Sequence, residues 1–232
     1  MKNHVFLLVV FLGYFGFSQK DNFSTSETDN NYREDQFYAG ITYNLLNERP
    51  SGISQSGFSS GFHFGFIRDM PLNKQRNIAI GLGLGLSSNS YNQSGLLIQK
   101  AKEEVIFNSI NESSFNVSRN KFTTYLVEVP FEVRWRTSKA NNYNFWRIYT
   151  GFKLGYLVYN STNFQSELGN VRLYDIDNFN RLQYGLTLSA GYGTWNFHLY
   201  YGLNPIFGDN STLNNINIDM KSLKIGLMFY VL

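Results

Sequence analysis

The chain has no cysteine, which excludes disulfides, thiolate metal sites, a cysteine nucleophile and a lipid-modified cysteine anchor. Proline is scarce, at four residues. Beyond the first residues, no apolar run approaches the roughly 18 to 20 that a membrane-spanning helix needs. If this chain resides in a membrane, it must do so as a closed barrel, the other structure that satisfies every backbone polar group in lipid. Charge is also sparse: 20 Lys and Arg against 17 Asp and Glu leave +3, or +2 once Lys2 is removed with a leader. That is too weak and too scattered for a nucleic-acid partner. The three histidines, His4, His63 and His198, show neither HExxH nor paired-ligand spacing, so no metal and no cofactor is expected.

What is plentiful is aromatic residues, at 17%, and glycine, at 20 residues. This composition suits strands with close backbone approach better than helices. At the start, Lys2 precedes the apolar run Val5 to Phe17, with Gly16 and Ser18 at the small positions that a signal peptidase reads. The run is too short to span a bilayer as a helix, so residues 1–18 are expected to be a cleaved signal peptide. Residues 19–36 are polar and nearly free of apolar side chains, which predicts a flexible tail. Residues 37–232 then form one domain, with no linker or internal repeat to divide it.

Eight stretches of period-two alternation fall near residues 37–46, 56–68, 77–90, 121–137, 144–160, 178–191, 194–204 and 219–232. Each is long enough to cross a membrane as a tilted strand. In the last, Leu223, Ile225, Leu227, Phe229 and Val231 make an apolar face, and Ser222, Lys224, Gly226, Met228 and Tyr230 make the other. A lipocalin-type barrel or a secreted sandwich would alternate too, so the second face must decide. In strands two, three, six and seven it is mainly Gly, Ser, Thr, Asn and Gln, a poor solvent surface but a suitable narrow lumen. Connections alternate between short and long, as outer-membrane barrels place short turns in the periplasm and long loops outside. The expected fold is therefore all-β, an eight-stranded antiparallel up-and-down transmembrane barrel of the outer-membrane type, with both termini periplasmic and outer-membrane lipid around it. Trp135, Trp146 and Trp195 all fall at short-turn ends, as half of an aromatic girdle. Tyr91, Tyr125, Tyr159 and Tyr201 are candidates for the other half.

Charge concentrates on the inner face of strand four, where Glu128, Glu132, Arg134 and Arg136 alternate with Val127 to Trp135. Arg147 and Lys153 on strand five, Arg181 on strand six, His198 on strand seven and Lys224 on strand eight complete an expected lumen ion network. A turn centred between Ala140 and Asn141 would set Glu128 opposite Lys153 and Arg134 opposite Arg147. Carboxylates with cations at hand and no nucleophile point to a structural network rather than acid/base catalysis, so no catalytic residues are expected. An eight-stranded interior is just wide enough to be filled by such side chains, which disfavours an open pore. Pro130 cannot donate to the ladder and predicts a bulge. Gly81, Gly83 and Gly85 lie inside a strand and are no dinucleotide loop.

The strings DQFYAGITYNLL from Asp35, FSSGFHFGFIRDMPLN from Phe58, RNIAIGLGLGLSSNSY from Arg76, VEVPFEVRWRTS from Val127 and FWRIYTGFKLGY from Phe145 resemble the PorT family of Bacteroidota outer-membrane proteins, over nearly the whole mature chain. The resemblance implies a barrel without enzymatic motif, implicated in the type IX secretion system that exports proteins across the outer membrane and supports gliding motility. It also implies other secretion-machinery subunits as partners. The short turns RDMPLNKQRN and RTSKANNYN, with Arg68, Lys74, Arg76 and Lys139, are then the candidate contact surface, in competition with simple attraction to anionic headgroups. The alternatives are a generic barrel serving as anchor, adhesin or narrow porin, and a barrel enzyme, for which no catalytic cluster is visible. No small-molecule substrate is identified.

Overall fold

The computed structural model describes residues 35–102, 104–111, 116–137 and 145–231. The expected leader, nearly all of the expected tail, and the turn carrying Lys139 lie outside the described residues. Among the described residues there is no helix.

Eight long strands form a ring: β1 (Asp35–Asn47), β2 (Ser60–Pro71), β3 (Ile78–Ser94), β4 (Val117–Arg136), β5 (Trp146–Ser166), β6 (Leu182–Tyr192), β7 (Trp195–Gly202) and β8 (Lys221–Val231). Each pairs antiparallel with its neighbours in sequence, and the ring is completed where β8 pairs β1, with Tyr38 opposite Tyr230. This is the up-and-down barrel that the alternation predicts. Short strands extend the long connections: Leu96–Ala101 pairs Glu104–Ser109, Gly169–Tyr174 adds to β5, Ser54–Gln55 adds to β3, and Thr212–Leu213 pairs Ile216–Asn217. We call the end bearing these the loop rim, and the end where β1 begins and β8 finishes the turn rim.

Period two explains the faces. On β3, Leu82, Leu84 and Leu86 point outward and are exposed, with Leu84 at 60%, whereas Ala79, Ser87 and Asn89 are buried inside. The outer surface is apolar on every strand, including Phe62, Phe64, Phe131, Leu186, Leu188 and Phe197, while the interior is rich in polar and charged groups. That inverts a water-soluble protein and fits hydrocarbon outside. Small inner residues let large ones lie across the wall: a Cβ on Gly85 would sit 2.0 Å from the Tyr38 hydroxyl and one on Gly65 would sit 2.5 Å from it.

Several expectations on strand ends need correction. β1 starts at Asp35, so Asp35 and Gln36 belong to the wall and not to the tail. β2 runs on to Pro71 and so includes Asp69, while β6 begins only at Leu182. The β4–β5 register is two residues from the expected one: Glu128 faces Gly155, Pro130 faces Lys153, and Arg136 faces Arg147. Because the shift is even, every side chain keeps its face. Pro130 is not at a bulge. The irregularities in β4–β5 pairing fall between Val117 and Arg119 and between Tyr125 and Leu126. The β3–β4 ladder instead skips the two steps between Leu82–Phe131 and Gly85–Glu128, the stretch that includes Pro130, as expected of a residue with no N–H.

Candidate functional site

The lumen is built in three storeys. Nearest the turn rim, Arg134 is fully buried. Its Nη1 donates to Asp69 Oδ1, and to Gln36 Oε1 at 3.2 Å, and its Nε lies 3.3 Å from Glu132 Oε2. The guanidinium also stacks on Tyr149, with Cζ 3.8 Å from the ring centroid, and faces Tyr230 at 4.8 Å. Arg136 Nη1 donates to Asp69 Oδ2 at 2.8 Å and its Nε to the carbonyl of Arg76 at 3.0 Å. One carboxylate thus holds two guanidiniums through both its oxygens, and a fixed planar fork suits that task. Arg147 lies over the Phe145 ring at 4.5 Å.

At mid-height, Glu128 accepts from Lys153 Nζ at 3.1 Å and from Ser87 Oγ at 2.8 Å, and lies 3.4 Å from His63 Nδ1. Lys153 is one pleat from the position opposite Glu128, and its long stem makes the diagonal reach. His63 Nε2 continues to Thr42 Oγ1 at 3.2 Å, and Thr42 Oγ1 donates to Asn44 at 2.8 Å. His198 bonds Ser189 at 2.7 Å, and the two histidine rings lie 6.5 Å apart. Lys224 sits over the Tyr200 ring at 4.7 Å.

The third storey, under the loop rim, is different in kind. Leu126, Leu157, Tyr91, Phe122, Phe179 and Phe207 pack with loop residues such as Ile53, Leu96, Ile206 and Met220 in one apolar cluster. Phe122 stacks on Tyr91 at 4.9 Å and meets Phe207 edge-on at 5.3 Å. Asparagines pin the loops over it. Asn160 exchanges two 3.0 Å bonds with the backbone of Ile176, and Asn180 Nδ2 donates to the carbonyls of Pro205 and Phe207. A uniformly polar lumen is therefore not what the chain builds.

Of the residues expected in the lumen network, Glu128, Glu132, Arg134, Arg136, Arg147, Lys153, His198 and Lys224 are all buried there. Arg181 is not: it lies in the loop before β6, exposed, pairing Asp177 at 2.6 Å. Alternation alone carries β6 back to residue 178 and so puts Arg181 on the inner face, whereas the strand starts at Leu182. Asp69 lies one residue beyond the expected strand end at Arg68 and is a lumen residue because β2 continues to Pro71. Two observations point to it: inner positions of β2 run Gly61, His63, Gly65, Ile67 and then Asp69, and the expected network held more cations than acids.

On the outside, Trp135, Trp146 and Trp195 lie exposed at the turn rim, with Trp146 against Tyr192 at 5.3 Å and Trp195 against Phe229 at 5.0 Å. Toward the loop rim, Tyr125 and Tyr159 pair at 5.7 Å and Tyr201 is exposed. Tyr91 is no girdle residue, because it is buried in the apolar cluster and bonds Ser222 at 2.7 Å. In the β2–β3 turn, Lys74 is exposed and Arg76 is half-buried with φ at 54°, whereas Arg68 is not a turn residue: it lies within β2 on the exposed outer face, 3.7 Å from Asp35. Among the described residues no group of acids and histidines could hold a metal.

Residues 17–208 match the family model described as outer membrane protein beta-barrel domain. Among solved structures, a fivefold-substituted variant of the Rh. blastica porin is 10% identical, with 85% of this chain and 99% of that chain covered, at a TM-score of 0.22. A Rhodopseudomonas blastica porin triple mutant gives the same values. Likeness at that score carries no argument about function. No curated protein matches the chain.

Proposed function

Because the chain belongs to the outer membrane protein β-barrel domain family, we propose that it is a non-enzymatic outer-membrane component of the type IX secretion machinery, working through contacts made at its rims. The observation that carries the reading is the filled interior. With Arg134, Glu128, Lys153 and the Phe122 cluster all buried in the lumen, the barrel has little room for a solute path, so what remains available for work is its surface. The turn rim, taken as periplasmic with both termini, offers Arg68, Lys74 and Arg76 to a partner subunit, and Lys139, which lies outside the described residues, is proposed to join them. The resemblance of strings such as VEVPFEVRWRTS to the PorT family supports the choice of machinery.

Deletion of the gene is expected to abolish export of type IX cargo while other outer-membrane barrels stay at normal levels. Joint charge reversal at Arg68, Lys74 and Arg76 is expected to do the same with the barrel still assembled. The Arg76 carbonyl that Arg136 uses is backbone and survives the change. Full export from the deletion strain rejects the secretion role. Full export from an assembled turn variant rejects only the contact surface.

A second reading, a barrel acting as anchor or adhesin, draws on the loop rim. There Leu168 is 78% exposed and Ile216 69% exposed, above a tightly packed base. Retained cargo export together with lost surface attachment in the deletion strain would select it.

A further inference from the structure

We propose that the middle of the lumen contains a binding site for one structural water molecule, held between Tyr38, Glu132, Lys153 and His198. These four line a small cavity between the middle and lower storeys, with Ile67 and Met228 as apolar walls, and room for a water-sized centre over about 10 Å³. That is about one water and no more.

Three of the lining residues carry a buried polar atom that makes no hydrogen bond within the protein: Tyr38 Oη, His198 Nε2 and Glu132 Oε2, the last meeting only the Arg134 guanidinium, at 3.3 Å. Tyr38 and Glu132 are each 4% exposed and His198 is 1% exposed. Buried polar groups are satisfied by protein or by ordered water in the great majority of cases. The bonding inventory suits a neutral dipole. Tyr38 Oη and Lys153 Nζ donate, the ammonium having two protons beyond the one it gives Glu128. Glu132 Oε2 accepts, and His198 Nε2 accepts when Nδ1–H is the partner of Ser189 Oγ. Two donors and two acceptors make a full tetrahedral set. A cation would meet the Lys153 ammonium, and an anion would meet the Glu132 carboxylate.

Lys153 and Glu132 do not bond each other directly, so the water is what joins the Glu128–Lys153 pair to the Glu132–Arg134–Asp69 group in one hydrogen-bonded column. The cavity also borders Pro130, where β4 lacks an N–H and the β3–β4 ladder is interrupted. The site thus lies beside a stretch where the wall leaves slack.

The test uses the full mature chain refolded in lipid bilayers. A high-resolution structure is expected to show a single water oxygen about 2.7–3.2 Å from at least three of the four named atoms. Water-to-protein transfer in solid-state NMR is expected to give a cross-peak at His198 Nε2 that disappears in the Tyr38→Phe, Glu132→Gln double variant while the other ring signals persist. A dry or collapsed cavity in the wild-type barrel, or a protein group bonded to His198 Nε2, would overturn the proposal. Because these outcomes are read on the wild type, they stand even if the double variant fails to fold.

Discussion

The turn-rim half of the lumen and the loop-rim half are stabilised by opposite physics. Below, Asp69, Glu132, Arg134 and Arg136 are packed as ions among Tyr149 and Tyr230. Above, Phe122, Phe179, Phe207 and their neighbours form an ordinary hydrophobic core. The difference follows from what each half must close. The lower half lies within strands whose outer face is already committed to hydrocarbon, so burying apolar side chains inside gains little over leaving them in lipid. Specificity there comes from paired charge. The upper half is closed largely by the long connections, which outer-membrane barrels hold in water, where removing apolar area is worth about 25 cal/mol per Å².

The comparison can be broken from either side. The largest effect is expected from Asp69→Asn, which strips the shared carboxylate from two buried guanidiniums. Removing one partner of a buried ion group costs about 3 to 5 kcal/mol, read as a fall in the urea midpoint of the refolded barrel. A loss under 1 kcal/mol would mean that Glu132 alone neutralises the pair. The same logic makes Glu128→Gln more harmful than the joint change Glu128→Gln, Lys153→Met, and a double-mutant cycle with additive losses would reject that pairing.

Next in size is Leu84→Arg on the outer wall, expected to cost about 2 to 4 kcal/mol for a cation near the bilayer midplane and to lower the amount of assembled barrel. Normal assembly would place this face away from lipid. Within the upper core, Ile206→Val should cost only about 0.5 to 1.5 kcal/mol. The smallest effect sharpens the boundary between the halves. The partly exposed Lys221–Glu48 pair at the loop rim, 2.9 Å apart, should contribute about 0.2 to 1 kcal/mol, falling with added salt, as measured by Lys221→Ala at two salt concentrations.

The wall and its inner charges were legible because period-two alternation is strict where lipid lies on one side: Tyr125 to Arg136 can be sorted onto two faces by parity alone. Even a two-residue error in register left each residue on its face. Strand ends were less legible, since Asp69 and Arg181 sit where alternation meets a turn, and one or two residues decide between lumen and water. The upper core was not visible at all. Ile53, Leu96, Ile98, Phe107, Ile176 and Ile206 are scattered through Asn- and Ser-rich connections with no period, and are brought together only by bonds such as those of Asn160 to Ile176 and Asn180 to Phe207.

The break in the β3–β4 ladder beside Pro130 bears on the mechanics of the whole. A ring of hydrogen-bonded strands behaves as a hoop, and a hoop under lateral pressure deforms where its links are weakest. Two missing rungs at one height give the wall a locally compliant segment, bounded above and below by paired residues of the same ladder. Amide exchange should therefore be uneven along this one ladder, faster for Gly83 and Leu84 on β3 and Val129 on β4 than for the paired residues on either side.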